Sequence, residues 1–200
     1  MKLLFNPASP FARKVRVAAA EKGLLARLEL SPVNPWTQPE LVTPHNPLGK
    51  IPALILDGGE ALFDSAVICE YLDTAAPPAS LFPPAGEARR SVLRRQALAD
   101  GILDAAVLLV AEHRRPQAQH CDEMLARYRG VIDRGLGQCE REIAELSGPF
   151  DIGTITVACA VGYVEFRLAP FGVSIASRQL LEWWSAVRIR PSLRSTEPSL

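Results

Sequence analysis

Three short stretches of this 200-residue chain carry residue types suited to holding an anion or a zwitterion: Ser9-Pro10, Ile51-Pro52 and Asp64-Ser65. Ser9 lies between the apolar "KLLF" run and the helical pattern "PFARKVRVAAAEKG". A serine there is first of all a helix cap. Its oxygen accepts from free backbone N–H groups, and Pro10 takes a position where no donor is missed. The same first turn offers unpaired amides and roughly half a unit of positive charge, so a ligand's anionic group also fits there. Asp64-Ser65 opens another helical pattern and has the same two readings. It is a plain cap, or a grip in which Ser65 and the first-turn amides hold a carboxylate while Asp64 holds an ammonium. Ile51-Pro52 starts an apolar run, where a proline cannot donate to a sheet. With a trans bond it is an ordinary strand start. With a cis bond the backbone of Ile51 turns outward to meet an extended peptide. Together the three describe a short peptide ligand with a free amino-acid head, an extended middle and an anionic end.

The elements that must position these residues follow from periodicity. Leu3–Phe5 reads as a strand and Pro10–Lys22 as a helix with Phe11, Val15, Ala18 and Ala19 on its apolar side. Gly23 stands where a C-terminal cap glycine belongs, and "RLELSPV" reads as a second strand, parallel to the first. Prolines 32, 35, 39, 44 and 47 exclude a long regular element from the next stretch. "IPALILDGGEALFD" then supplies two apolar runs joined by Asp-Gly-Gly, a hairpin signal, and Asp64–Leu72 a helix. The expectation is an α/β domain of order β-α-β, β-β-α over residues 1–75 and a proline-rich linker over 76–86. An all-helical domain follows over 87–200, with helices at Ala88–His113, Asp122–Leu146, Thr154–Leu168 and Ser177–Val187. Gly130, Gly135 and Gly137 weaken the second of these.

Composition narrows the function classes. The chain is 48% apolar and 22% charged, with 22 basic and 22 acidic residues, so no global field points to nucleic acid or an anionic membrane. The N-terminal ten residues do not read as an export signal, and no run of about 20 apolar residues offers a membrane span. Cys69, Cys121, Cys139 and Cys159 are widely spaced and read as reduced thiols of a cytoplasmic protein. His113, His120 and Cys121 lie close together, but no further ligand completes a zinc spacing, and no metal is expected.

In order and spacing, "SPFARKVRVAAAEKGL", "NPLGKIPAL" and "DSAVICEYL" resemble the glutathione S-transferases, and "TVACAVGYVEFR" and "RPSLRSTEP" are similar to bacterial members. The resemblance covers nearly the whole chain. It implies a thioredoxin-like first domain with cis-Pro52, a helical second domain and a homodimer. It also implies Ser9 facing the glutathione sulfur, where its O–H and the helix amides favour the thiolate. Ile51 would pair through its backbone with the cysteinyl part, and Lys50 would meet the glycine carboxylate. Val33 would add a main-chain contact, and Asp64 and Ser65 would hold the amino-acid head. The serine is not the nucleophile, since glutathione brings its own thiol.

The helical domain is expected to form the second-substrate pocket, with Phe11 of the first domain, Asp104 and His113 as candidate lining. Asp100 and Asp104 stand one turn apart in an otherwise apolar helix, so they need partners or line a cavity. Asp151-Ile152-Gly153-Thr154 departs from the family's usual Ser/Thr-x-x-Asp start of the following helix: the acid comes first and Thr154 reciprocates less well. The function implied is a cytoplasmic, detoxifying transferase that joins glutathione to a small hydrophobic electrophile. Glutathione-dependent disulfide or peroxide reduction is the alternative enzyme reading. The rival of another class is a non-catalytic module that binds a protein partner.

Overall fold

A computed structural model describes residues 1–77 and 81–200. Pro78, Ala79 and Ser80, part of the expected linker, lie outside the described residues. The chain divides into two compact units, one of Met1–Pro84 with Arg190–Leu200 and one of Ala85–Ile189.

The first unit contains strands β1 (Lys2–Phe5), β2 (Glu29–Pro32), β3 (Ala53–Ile55) and β4 (Ala61–Leu62), with helices α1 (Pro10–Glu21) and α2 (Ser65–Ala75). The sheet order is β2-β1-β3-β4. β1 and β2 are parallel and joined through α1; β3 runs antiparallel to both β1 and β4. This is the thioredoxin-like arrangement expected from the sequence. Gly23 and Gly59 take φ of +67° and +90°, which only glycine adopts without strain, and so end α1 and turn the hairpin.

α1 is buried more completely than a one-sided amphipathic helix. Ala12, Val15, Val17, Ala18 and Ala19 are fully buried, but so are Arg13 and Lys14, while Phe11 is only half-buried. The chain's last residues explain this. They return to the first unit, where helix α8 (Pro191–Arg194) packs on α1. Arg13 Nη2 donates to the Leu193 carbonyl at 3.1 Å, and Glu21 accepts from Arg190 at 2.9 Å and from the Ser192 hydroxyl. Polar residues off the apolar side of α1 are thus covered by a segment about 170 residues away.

The second unit holds α3 (Gly86–Glu112), α4 (Asp122–Arg141), α5 (Ile143–Leu146), α6 (Ile152–Arg167) and α7 (Arg178–Val187). α6 is buried from Ile152 to Val164 and packs on α3. Gly153 allows the approach: a Cβ there would stand 2.8 Å from the Val92 carbonyl oxygen. Gly135 does the same between α4 and α3, where a Cβ would meet Ile102 at 2.4 Å. Gly135 therefore lets α4 pack, while Gly130 and Gly137 face only arginines of their own helix, and the helix expected over Asp122–Leu146 breaks at Glu142 into α4 and α5. The start of α6 keeps half of a capping box. Asp151 accepts from the Thr154 amide at 2.9 Å, and Thr154 turns its hydroxyl to the Pro149 carbonyl.

Candidate glutathione-type site at one end of the sheet

Strand register decides which loops meet. Phe5 lies opposite Pro32, Leu4 opposite Ala53, and Leu54 opposite Leu62. β1, β2 and β4 therefore finish at the same sheet end at which β3 begins. Four segments leave the sheet there: Asn6–Ser9 after β1, Val33 after β2, Ile51-Pro52 before β3, and Asp64-Ser65 after β4. α1 and α2 both start at this end, and neither first turn holds an acidic side chain. Two positive helix ends thus face the same rim, that of α1 behind the neutral cap Ser9 and that of α2 behind the carboxylate of its cap Asp64.

Ser9 is the N-cap of α1, with φ −79° and ψ 121°, and its Oγ accepts from the Ala12 amide at 3.2 Å. That contact uses one lone pair and leaves the hydroxyl proton available, because a serine hydroxyl is one donor and two acceptors. The bland and the chemical reading of Ser9 are compatible in one geometry. Asp64 caps α2 in the same manner, accepting from Ala66 at 2.9 Å, and its side chain is exposed. Ser65 is 3% exposed at the first helical position. The Ile51–Pro52 bond is cis, as expected, and so is Phe63–Asp64, which nothing in the sequence announced.

Ile51 packs half-buried against the cluster of Leu4, Val33, Val42 and Ala53. Lys50 is exposed, and its carbonyl accepts from Asn46 Nδ2 at 2.8 Å. Val33, expected to add a main-chain contact, has its backbone groups engaged within the protein. Its amide already donates to the Phe5 carbonyl at 2.7 Å, its carbonyl accepts from Asn6 Nδ2, and its side chain is buried. Its amide is spoken for, and it serves to join β2 to the turn before Ser9.

The remaining candidates are divided between the two units. Phe11 stands in the first turn of α1, with Lys14 Nζ 5.8 Å from its ring centroid. Asp104 is exposed on α3 and Asp100 half-buried one turn before it. His113 caps α3, its Nδ1 donating to the Leu109 carbonyl at 2.9 Å, with its ring 4.2 Å from Phe171 and 5.3 Å from His120. A groove of about 300 Å³ between α3 and α4 is lined by Ala97, Leu98, Gly101, Ile102, Val131, Arg134 and Gly135, not by these candidates. Among the described residues no helix is long and apolar enough to cross a membrane, and no group of three or more His, Cys, Asp or Glu residues could hold a metal ion.

Sequence reading missed the asparagines that hold the rim. Asn6, Asn34 and Asn46 each precede a proline and each accept an amide two residues on, at 2.9, 3.0 and 3.0 Å. The signal was present as a threefold "NP" at strand ends, which the count of prolines alone concealed.

Comparison with known proteins agrees with this geometry. Residues 8–75 match the family model described as glutathione S-transferase, N-terminal domain. The chain is 34% identical to the uncharacterized GST-like protein YibF of Escherichia coli K12, over 99% of this chain and 98% of that one. It is 42% identical to a glutathione transferase family member from Pseudomonas fluorescens Pf-5 solved with bound glutathione. The match has a TM-score of 0.95 and covers 100% of this chain and 99% of that one. A Pf-5 family member solved with S-(propanoic acid)-glutathione matches at 42% identity and a TM-score of 0.90, covering 100% of both chains.

Proposed function

The chain belongs to the glutathione S-transferase family, and on that premise we propose that it is a transferase joining glutathione to a small hydrophobic electrophile. The observation that carries the proposal is the strand register, which gathers Ser9, Ile51 and Asp64-Ser65 at the sheet end where both helices start. Glutathione would present its amino-acid head to Asp64 and Ser65 and its cysteinyl backbone to Ile51. Its glycine carboxylate would meet Lys50, and its sulfur would meet Ser9.

The chemistry asked of the protein is modest. A free thiol titrates near pH ~8.5, so about 1.4 kcal/mol of extra thiolate stabilisation brings its pKa down by a unit. One hydrogen bond to a charged sulfur, together with a helix N-terminus, is of that size. The thiol proton leaves to solvent, and Ser9 keeps its own while donating it to the sulfur. The thiolate then bonds to the electrophilic carbon, and the leaving group departs with its electron pair. The S-substituted glutathione bound by the Pf-5 relative is a compound of the kind such a reaction produces. Reduction of disulfides or peroxides is less well supported. The first unit has one cysteine, Cys69, and it is fully buried in α2.

The proposal includes a homodimer, supported by exposed Leu93 and Leu108 on α3 and the groove at Leu98 and Val131. It also includes a reducing, cytoplasmic setting, to which four free cysteines are suited. Retention on immobilised glutathione followed by turnover of a chloronitroarene panel tests the enzyme reading. Binding without turnover on any electrophile would replace it with a glutathione-binding module. Light scattering that reports a monomer at micromolar concentration would remove the dimer.

A further inference from the structure

The segments carrying Ser9 and Ile51 are held by one repeated device. Asn6-Pro7 follows β1, Asn34-Pro35 follows β2, and Asn46-Pro47 precedes β3. In each, the side-chain Oδ1 accepts the amide two residues on: Ala8, Trp36 and Leu48. In each, the main-chain carbonyl accepts the amide three residues on: Ser9 at 2.9 Å, Thr37 at 3.2 Å and Gly49 at 2.9 Å. The intervening proline has no N–H to compete and pre-sets its own φ.

Two of the three asparagines also reach across. Asn46 Nδ2 donates to the Lys50 carbonyl at 2.8 Å, and Asn6 Nδ2 to the Val33 carbonyl at a longer 3.4 Å. Among the described residues Asn34 Nδ2 makes no such bond. The Asn46 tie has a direct geometric consequence. The Lys50 carbonyl and the Ile51 amide share one rigid trans peptide plane, so drawing the carbonyl inward to Asn46 points the Ile51 N–H the opposite way. Asn46 is 2% exposed, so water does not stand in for its amide if it is lost. The Asn6 turn acts on a different plane. Its carbonyl takes the Ser9 amide and its Oδ1 the Ala8 amide, so the tie from its Nδ2 to the Val33 carbonyl, which anchors this turn to the end of β2, sets where the Ser9 hydroxyl enters the rim.

We propose that Asn46 and Asn6 are positioning residues for glutathione chemistry with separable effects: Asn46 sets affinity by orienting the Ile51 amide, and Asn6 sets the acidity of the bound thiol by orienting Ser9. The proposal rests on the glutathione reading above. Serine can keep an amide-accepting turn but is too short to reach across, so Asn→Ser variants isolate the ties. Calorimetry with glutathione and the pH dependence of the bound thiolate's ultraviolet absorbance give the two readouts. Asn46→Ser should raise Kd about tenfold, the loss of one buried hydrogen bond, and leave the thiol pKa unmoved. Asn6→Ser should raise the thiol pKa by about half a unit, since its bond is the longer one, and leave Kd within about twofold. Asn34→Ser should change neither. Asn46→Asp, which keeps the Leu48 bond but turns the donor into a second acceptor facing the Lys50 carbonyl, is the second variant for position 46 and should weaken binding at least about tenfold. Kd and pKa moving together in both variants would overturn the proposal, as would Asn34→Ser matching them. If no Asn46 variant folds, an unchanged thiol pKa in Asn6→Ser overturns it alone. A wild-type protein that binds no glutathione would instead sink the function reading beneath it.

Discussion

Replacing Ser9 by alanine separates its two roles. The cap bond from the Ala12 amide to Ser9 Oγ, 3.2 Å long, is lost in either reading. Loss of such a cap costs about 1 kcal/mol, which for a 200-residue chain lowers Tm by roughly 2–4 °C. That change says nothing about catalysis. The chemical role predicts more. The hydroxyl proton, free of the cap bond, stabilises the bound thiolate by about 1.5–3 kcal/mol before water partly replaces it, so the bound thiol's pKa should rise by about one unit. The sign follows: below the wild-type thiol pKa the variant holds about tenfold less thiolate, and above both values the two proteins hold the same amount. Turnover of a chloronitroarene should therefore fall about tenfold near neutral pH, and the deficit should close as pH rises past about 9. Glutathione affinity should stay within a few-fold, because Ile51, Asp64 and Ser65 are untouched. Stopped-time rates from about pH 6 to 10 on one electrophile, beside a thermal melt of each protein, make the measurement. A variant with the wild-type rate profile and a lowered Tm would refute the chemical role and leave the α1 amides alone to hold the thiolate.

Three further outcomes are expected. Native protein should react with a thiol reagent at Cys121 alone, because Cys69, Cys139 and Cys159 are buried and burial pushes the Cys139 thiol up to about 12; four equivalents should react after unfolding. Burial raises the Glu142 carboxyl, but its bonds from Arg94 and Gln138 and the nearby Arg95 outweigh this and hold it below the usual range. Its stabilisation is therefore present above the unfolded value near pH ~4.3 and lost as pH falls through the lower folded value. Glu142→Gln, which leaves buried Arg95 short of a partner, should cost about 3 kcal/mol at neutral pH by denaturant titration, with the gap from wild type narrowing below about pH 4. Gly153→Ala drives a Cβ to 2.8 Å from the Val92 carbonyl. It should destabilise the second unit by about 2 kcal/mol, although alanine is the better helix former by nearly 1 kcal/mol, and a gain in Tm would contradict the α3–α6 packing.

Local chemistry made much of the first unit legible in sequence. Ser9 and Asp64 cap helices because their side chains reach their own first-turn amides, and Gly23 and Gly59 end elements because they tolerate positive φ. These interactions span two to four residues, so they can be read without a fold. Alternating apolar runs likewise announced β3 and β4, and helical spacing announced α1, α2 and the long helices of the second unit.

Other features depend on partners distant in sequence. Lys14 and Arg13 lie off the apolar side that helical spacing gives α1, yet both are buried, and Arg13 bonds a segment 180 residues away. Gly135 reads as a helix weakener but is the one residue type that fits against Ile102. The Val33 amide is engaged by Phe5 and its carbonyl by Asn6, partners that lie 28 and 27 residues away. The rim itself is a tertiary product. Ser9, Ile51 and Asp64 are 42 and 13 residues apart along the chain, and the register of three strand pairings brings their loops to one sheet end. Residue type determined what each group can do chemically, because donors, acceptors and charges belong to side chains. Which of them face one ligand was decided by hydrogen-bonded pairing between strands, a property of the folded sheet that no single segment carries.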